Sequence, residues 1–313
     1  MSLADLGLRD WEDENNTLLL DGDILLYRPC CIFNEDNDLS RRQIMKYVNL
    51  KIDELMEAAN CNKYIMFVTT KFNFRDDLVD DYKANRQEVE RPVNLSWAKK
   101  WAVEKLNNHF HMKLEADDLL GIHANENTVI WSLDKDLRQI PGKHIDDETQ
   151  EVITVTHEGR LEDKGKKVYF DGTIGFYYQL LVGDSTDNII GCGSRVEAVY
   201  KSGAKAGEPY TKRKGVGPKK ALKILATAGM SAIKSQKCVL ETSLKAVINE
   251  YKKVHGEDWQ GHLETQANLL FMIREQHGEI IKRWTFDNRE EYFCLTRGIV
   301  LDEYSPTQIT TKQ

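Results

Sequence analysis

The sequence predicts an α/β protein with a central, mostly parallel sheet flanked by helices, followed by a mostly helical C-terminal part. Three observations carry that reading. Short apolar runs at Thr17–Leu20, Ile65–Val68 and Thr128–Leu133 look like buried parallel strands. Helix-like stretches, including Arg42–Ala59 and Trp97–Phe110, separate them, which is the alternation of an α/β sheet. Acidic residues also stand just after the strands, where a parallel sheet gathers its carboxyl ends on one edge.

The elements follow in order. The first strand runs into LLLDGD and the third into VIWSLDKD. After Asp146 the pattern changes: Val152–His157 and Lys167–Phe170 flank EGRLEDKGK and read as a β-hairpin on the sheet edge. From about residue 176 the chain reads as helical, punctuated by GCGSR, KSGAKAGEP and KRKGVGPKK, with amphipathic stretches at Ser243–Lys253 and Leu263–Arg274. The expected division is a sheet domain over residues 16–175 and a helical region over 176–313, ending in a loose tail, PTQITTKQ.

Composition narrows the function classes. The 313 residues can bury a sizeable core, and 41% hydrophobic with 30% charged residues is ordinary for a globular protein. The longest apolar runs are about six residues, far short of the ~20 that a membrane span needs. The N-terminal MSLADLGLRDWEDEN lacks the basic-then-apolar order of a signal peptide. Six scattered cysteines without a CxxC pair fit a reducing cytoplasm better than disulfides or zinc. A net charge of −7 does not exclude a nucleic-acid partner. Nine Lys or Arg lie between Arg195 and Lys223 against only Glu197 and Glu208.

The chemistry lies in the acids. Asp21 and Asp23 follow the first strand, and Asp134 and Asp136 the third, although the two pairs are about 110 residues apart. Glu115, Asp117 and Asp118 open LEADDLLGIHA, and the three-residue spacing of Glu115 and Asp118 places them on one helical face. Asp184 and Asp187, in LVGDSTDNIIG, repeat that spacing. Each set has a plain structural alternative: a DG turn, a helix cap, a solvated loop, a capped turn. Together they describe converging carboxylates, which repel one another unless cations neutralise them. An all-oxygen donor set suits Mg²⁺ or Mn²⁺, and a pair of such ions suits phosphodiester cleavage. Without the eight candidates Asp21, Glu115, Asp117, Asp118, Asp134, Asp136, Asp184 and Asp187, the net charge becomes +1.

DGDILLYR, FRDDLVDDYKANR, EADDLLGIHA, SLDKDLRQI, GDSTDNIIG and GVGPKKALKIL together resemble the flap-endonuclease/5′-exonuclease family, and most of all its phage-encoded exonuclease branch. The likeness runs from about Leu18 to about Leu225. It implies a PIN-like nuclease fold with a helical arch, a helix-three-turn-helix motif for duplex DNA, and two bound Mg²⁺ or Mn²⁺ ions. Asp21, Glu115, Asp117 and Asp118 then resemble the first-metal set, and Asp134, Asp136, Asp184 and Asp187 the second. Lys83 and Arg86, in YKANR, resemble the basic pair that contacts the scissile phosphate; their spacing puts both on one helical face. The implied partner is double-stranded DNA with 5′ ends or flaps, with RNA–DNA hybrid as the alternative, acted on by a monomer in the cytoplasm (the host's, for a phage protein).

One position departs from the family. Where an aspartate usually follows the second strand, this chain reads FVTTKFNFR and has Thr70, a poorer Mg²⁺ ligand; Asp23, Asp76 or Asp77 are possible substitutes. Further on, Gly215-Val216-Gly217-Pro218-Lys219-Lys220-Ala221 reads as a tight glycine turn feeding a helix, with amides and dipole directed at a phosphate. Gly215, Gly217, Lys219 and Lys220 are the candidate duplex contacts, and the resemblance adds a K⁺ ion there. The preceding insertion, Gly193–Lys214, reads as lysine-rich and mobile until DNA binds. Trp97, Trp101 and Phe110 are candidates for base stacking, but the four-residue spacing of the tryptophans equally describes a packed helix face.

Overall fold

The computed structural model describes residues 16–70, 73–86, 89–165, 167–203, 206–277, 280–285 and 309–310. The N-terminal segment read for a leader and most of the C-terminal tail lie outside them. Two compact units are present.

The first unit comprises the described parts of Met1–Phe74, Val89–Thr156 and Met272–Lys282. Its sheet contains β1 (Thr17–Asp21), β2 (Lys63–Phe67), β3 (Asn108–His109), β4 (Thr128–Trp131), β5 (Gly142–Ile145) and β6 (Val152–Val155), in the order β3-β2-β1-β4-β5-β6. The first five pair in parallel and β6 closes the edge antiparallel. The central strand is apolar at Leu18, Leu19 and Leu20 because both of its faces are covered. On one face Leu18, Leu20, Val129 and Trp131 form a core with helices α1 (Gly22–Ile32), α2 (Asp38–Ala58) and α3 (Leu95–Lys105). On the other, the ring of Phe67 meets His123 of α4 (Ala116–His123) at 4.9 Å. Helix α2 buries Ile44, Val48, Ile52 and Leu55, one stripe at helical spacing.

Helix α3 is shorter than its sequence suggests. It ends at Lys105 because the Asn108 side chain donates to the carbonyls of Ala102, Val103 and Leu106, which closes its last turn. Phe110 therefore lies beyond the helix. Trp97 and Trp101 stack on each other, 6.2 Å apart, and pack against the core, so the packed-face alternative holds for them. The expected edge hairpin is also corrected. Val152–Val155 pairs with β5, whereas Val168–Phe170 pairs with Leu161–Asp163, which lies inside the segment read as a turn. The fully buried Leu161 explains why that segment is a strand.

The second unit comprises the described parts of Arg75–Glu88, His157–Phe271 and Arg283–Gln313. It holds the hairpin β7 (Leu161–Asp163) and β8 (Val168–Phe170), helix α5 (Gly172–Val182), and a ribbon of β9 (Gly193–Val199) with β10 (Pro209–Gly215). Helices α6 (Pro218–Lys234), α7 (Val239–His255) and α8 (Trp259–Leu270) follow. Within the tail, Ile309–Thr310 pairs in parallel with β7, so that part is not loose. Helix α5 is buried almost all round, as a helix apolar on every face must be, and the Tyr251 hydroxyl of α7 donates to its Leu180 carbonyl at 2.8 Å. Helix α8 stops at Leu270, short of the expected Arg274. Within the insertion expected to be mobile until DNA binds, β9 and β10 pair as an antiparallel ribbon. Among the described residues no helix is long and apolar enough to cross a membrane.

Because Leu20 fills the middle of the sheet with no exposure, Leu20→Ala should cost about 2–5 kcal/mol of stability in urea unfolding, with little change in the native far-UV spectrum.

Candidate active site

Strands β1 and β4 are parallel neighbours with Leu20 opposite Trp131, so the residues that follow, Asp21 and Ser132, meet at the carboxyl edge. The Ser132 hydroxyl donates to Asp21 Oδ2 at 2.6 Å, and the Asp134 amide donates to Ser132 Oγ at 3.0 Å. Asp21 Oδ1 caps α1 by accepting from the Ile24 amide at 3.2 Å. Asp134 caps the 3₁₀ turn Lys135–Gln139 by accepting from the amide of Asp136, itself buried, at 2.9 Å. Burial, followed by the carboxylates of Asp23 and Asp134, pushes the Asp21 carboxyl up to about 7, against the hydrogen bonds from Ser132 and Ile24.

A second set of contacts gathers at the end of β2. The Thr69 amide donates to Asp23 Oδ2 at 3.3 Å, its hydroxyl accepts from the Ala116 amide at 2.8 Å, and its carbonyl accepts from Lys99 Nζ at 3.3 Å. Lys99 Nζ also reaches Asp23 Oδ1 at 2.5 Å. Thr69 thereby fixes the acidic start of α4 beside Asp23. Thr70, at the departed position, donates its hydroxyl to the His111 carbonyl at 3.1 Å.

Glu115 and Asp118 do not share a helical face in the expected way. Glu115 is the extended N-cap of α4, and the two form a capping box in which each side chain accepts from the other's backbone amide. Asp118 is fully buried, and its Oδ1 also accepts from the Ile273 amide at 3.0 Å. Asp117 lies half-buried in the first turn, where the helix dipole favours a negative charge. Among the described residues, no three Asp, Glu, His or Cys side chains are grouped so as to hold a metal ion as they stand. The donor set nevertheless fits a hard divalent cation: it is all oxygen, and its buried Asp21 is held above its usual range by burial and by the carboxylates of Asp23 and Asp134.

In the second unit, Lys83, Arg86 and Asp187 come together. Lys83 Nζ lies 3.5 Å from Asp187 Oδ2, Arg86 pairs with Asp187 Oδ1, and the Lys83 amide donates to the Asp187 carbonyl at 3.1 Å. The basic pair is not on an α-helix. Lys83 has a left-handed backbone, φ 53°, and Arg86 closes a 3₁₀ turn, Ala84–Arg86. The two side chains still face one way, because both reach the Asp187 carboxylate. Between β2 and α3 the described residues hold only 3₁₀ turns, Phe74–Asp77 and Ala84–Arg86, and no α-helix of the expected arch. Asp184 accepts from the Thr186 amide at 2.9 Å and exchanges backbone bonds with Ile189, which shapes the turn presenting Asp187.

The duplex candidates fall at the foot of the ribbon. Gly215 ends β10, and Gly217 caps α6 with Pro218 in its first turn. Neither glycine has a positive φ. Gly215 is needed for space, since a Cβ there would lie 2.7 Å from the Cys192 carbonyl. Lys219 is exposed, whereas Lys220 reaches Glu250 Oε2 at 2.8 Å.

Residues 16–165 match the family model described as 5′-3′ exonuclease, N-terminal resolvase-like domain. The match covers the part of the chain that holds the six-stranded sheet and stops short of the ribbon and the helices that follow it. Solved structures similar to this chain include the T5 D15 protein crystallised with metal ions, at 15% identity and a TM-score of 0.46, over 81% of this chain and 99% of that one. Another is the bacteriophage T5 D15 flap endonuclease with DNA and metal ions, at 14% identity and 0.44, over 82% and 99%. A third is the catalytic core of Rad2 with a DNA substrate, at 10% identity and 0.42, over 92% and 90%. No curated protein matches.

Sequence reasoning missed Ser132, Thr69 and Lys99, all within the segment that matches the exonuclease model. Ser132 was within reach: in a parallel pair ending Leu20 and Trp131, the next residues must be neighbours. Lys99 lies in a helix whose spacing says nothing about β2.

The Asp21 carboxyl binds a proton more readily folded than unfolded. Its contribution to stability is therefore fully present below about pH 4 and is lost as pH rises through about 7. In chelator, Asp21→Asn should raise the melting temperature by a few degrees at pH 8 and much less at pH 5. Equal shifts at both pH values would contradict the placement of this charge.

Proposed function

We propose that this chain is a divalent-metal-dependent, structure-selective 5′-to-3′ exonuclease and flap endonuclease that hydrolyses DNA phosphodiester bonds near 5′ ends. The observation that carries this reading is the buried Asp21, linked through Ser132 to Asp134 and charged against Asp23 at the carboxyl edge of the sheet domain that matches the exonuclease model. In this reading Asp21, Asp134 and Asp136, with Glu115 and Asp117, hold Mg²⁺ or Mn²⁺. Such ions supply an activated water and charge stabilisation at the leaving oxygen.

The remaining steps fall to the chain's own groups. Ser132 and the α1 amide hold Asp21 in one rotamer, so its carboxylate is pre-positioned. Lys83 and Arg86 take up the phosphate charge; in the structure Asp187 supplies the anion they would otherwise lack. Lys219 and the start of α6 hold the duplex through its backbone, without reading sequence. RNA–DNA hybrid is the alternative substrate within this reading.

A second reading is favoured by one set of contacts. Thr70 is tied to the His111 carbonyl and Asp23 to Lys99, so the β2 edge offers less negative charge than its sequence promises. A branched-DNA-binding protein with weakened catalysis would then show tight binding and no turnover even at high Mn²⁺.

Replacing Asp134 and Asp136 together by Ala should abolish Mg²⁺-dependent cleavage of a 5′-recessed duplex; wild-type rates in that variant would sink the site assignment. Lys83→Ala should lower kcat by about 10²-fold with a smaller change in DNA affinity, read by single-turnover and binding measurements.

A further inference from the structure

The ribbon β9–β10 is not used by the mechanism above, and its two faces differ. Strand alternation puts Val196, Ala198 and Tyr200 opposite Lys212, Tyr210 and Glu208 on one face. Arg195, Glu197, Thr211 and Arg213 occupy the other. The arginines anchor the ribbon: Arg195 pairs with Asp81 and donates to Asn188 Oδ1 at 3.1 Å, and Arg213 donates to the carbonyls of Leu181 and Val216. At its foot the strands cross at Gly193 and Gly215, where a Cβ on either would come within 2.8 Å of backbone atoms. The ribbon is therefore held from its base.

The tyrosine face has no such anchoring task. Tyr200 and Tyr210 stack with ring centroids 4.3 Å apart and planes 30° apart, and Tyr200 remains 39% exposed. Ladder bonds from the Tyr200 amide to Glu208 and from the Gly207 amide to the Tyr200 carbonyl fix the stack near the tip. Lys212 and Lys214 continue along the same face, both exposed and neither in an ion pair among the described residues. Glu208, at the tip, is the acid on this face. The ribbon's last residues lead through Gly217 into Lys219, the exposed lysine at the start of α6.

We propose that this face of the ribbon binds single-stranded nucleic acid, with unpaired bases stacking on the Tyr200–Tyr210 platform and Lys212 and Lys214 tracking the phosphates. A ring pair with an open face accepts any base, and lysines in line with it supply the charge complement. A seven-residue ribbon reaches about 20 Å from its foot, which suits a strand leaving a duplex held at α6. The proposal extends the nuclease reading, because a 5′ flap or frayed end is such a strand.

The test is binding of labelled oligothymidylate and of a blunt duplex to the full chain in chelator, so that nothing is cut. Tyr200→Ala with Tyr210→Ala should weaken oligothymidylate binding about tenfold, and Phe at both positions should restore it. Blunt-duplex affinity should change less than about twofold in the same alanine variant. Lys212→Ala with Lys214→Ala, which leaves the stack in place, should also weaken binding and flatten the salt dependence by roughly 1–2. Unchanged oligothymidylate affinity in both variants overturns the proposal, and so does an equal loss on blunt duplex, which would make the ribbon a backbone clamp. Cleavage by the wild-type chain, measured separately with Mg²⁺, bears on the nuclease reading alone.

Discussion

The hydrogen bond from Ser132 to Asp21 joins the ends of the two central strands, and the candidate chemistry is arranged around it. Asp21 is the last residue of β1 and the cap of α1, so its carboxyl is committed to the fold before any ligand arrives. Ser132 directly follows β4 and passes the connection on to Asp134. Parallel register makes this unavoidable: once Leu20 lies opposite Trp131, the two polar residues that follow must share one edge. The apolar runs that build the sheet therefore also place the acids.

Several of these acids hold backbone amides as well. Asp134 caps a 3₁₀ turn, Glu115 and Asp118 cap α4, and Asp184 bonds the turn that presents Asp187. Capping and ligation use the same property, a carboxylate oxygen fixed at the end of an element. The two uses compete only where both oxygens are taken. Asp118 is such a case: its oxygens accept from Glu115 and Ile273 amides deep in the first unit, so its part is chiefly to hold α4 in place. Both Asp21 oxygens are engaged too, by the Ile24 amide and the Ser132 hydroxyl, but burial beside Asp23 and Asp134 leaves its negative charge poorly compensated without a cation.

Strands β1, β2 and β4 were legible because they are apolar and largely buried, and their expected and observed bounds differ by only one or two residues, whereas β3 lies inside an expected helix and β5 went unread. The acidic clusters were legible because turns and caps lie at strand ends. Other features depended on contacts that sequence does not display. Asn108 ends α3 by reaching back to three carbonyls, and no local pattern in Trp97–Phe110 announces it. The ribbon at Gly193–Gly215 was hidden because both of its faces are wet, so its strands show no clear apolar alternation. Lys83 and Arg86 were singled out by resemblance, yet their geometry comes from a left-handed residue and a 3₁₀ turn.

The proposal of metal-assisted hydrolysis at 5′ ends rests on a sheet domain that matches the 5′-3′ exonuclease model, a buried carboxylate edge and a basic pair balanced by an aspartate. The most direct measurement is digestion of one duplex labelled at either the 5′ or the 3′ end, with Mg²⁺ or with chelator. The account predicts Mg²⁺-dependent release of short products from the 5′ end and shortening of the 3′-labelled strand from its far end. Hydrolysis that starts at 3′ ends, or that persists in chelator, would contradict it.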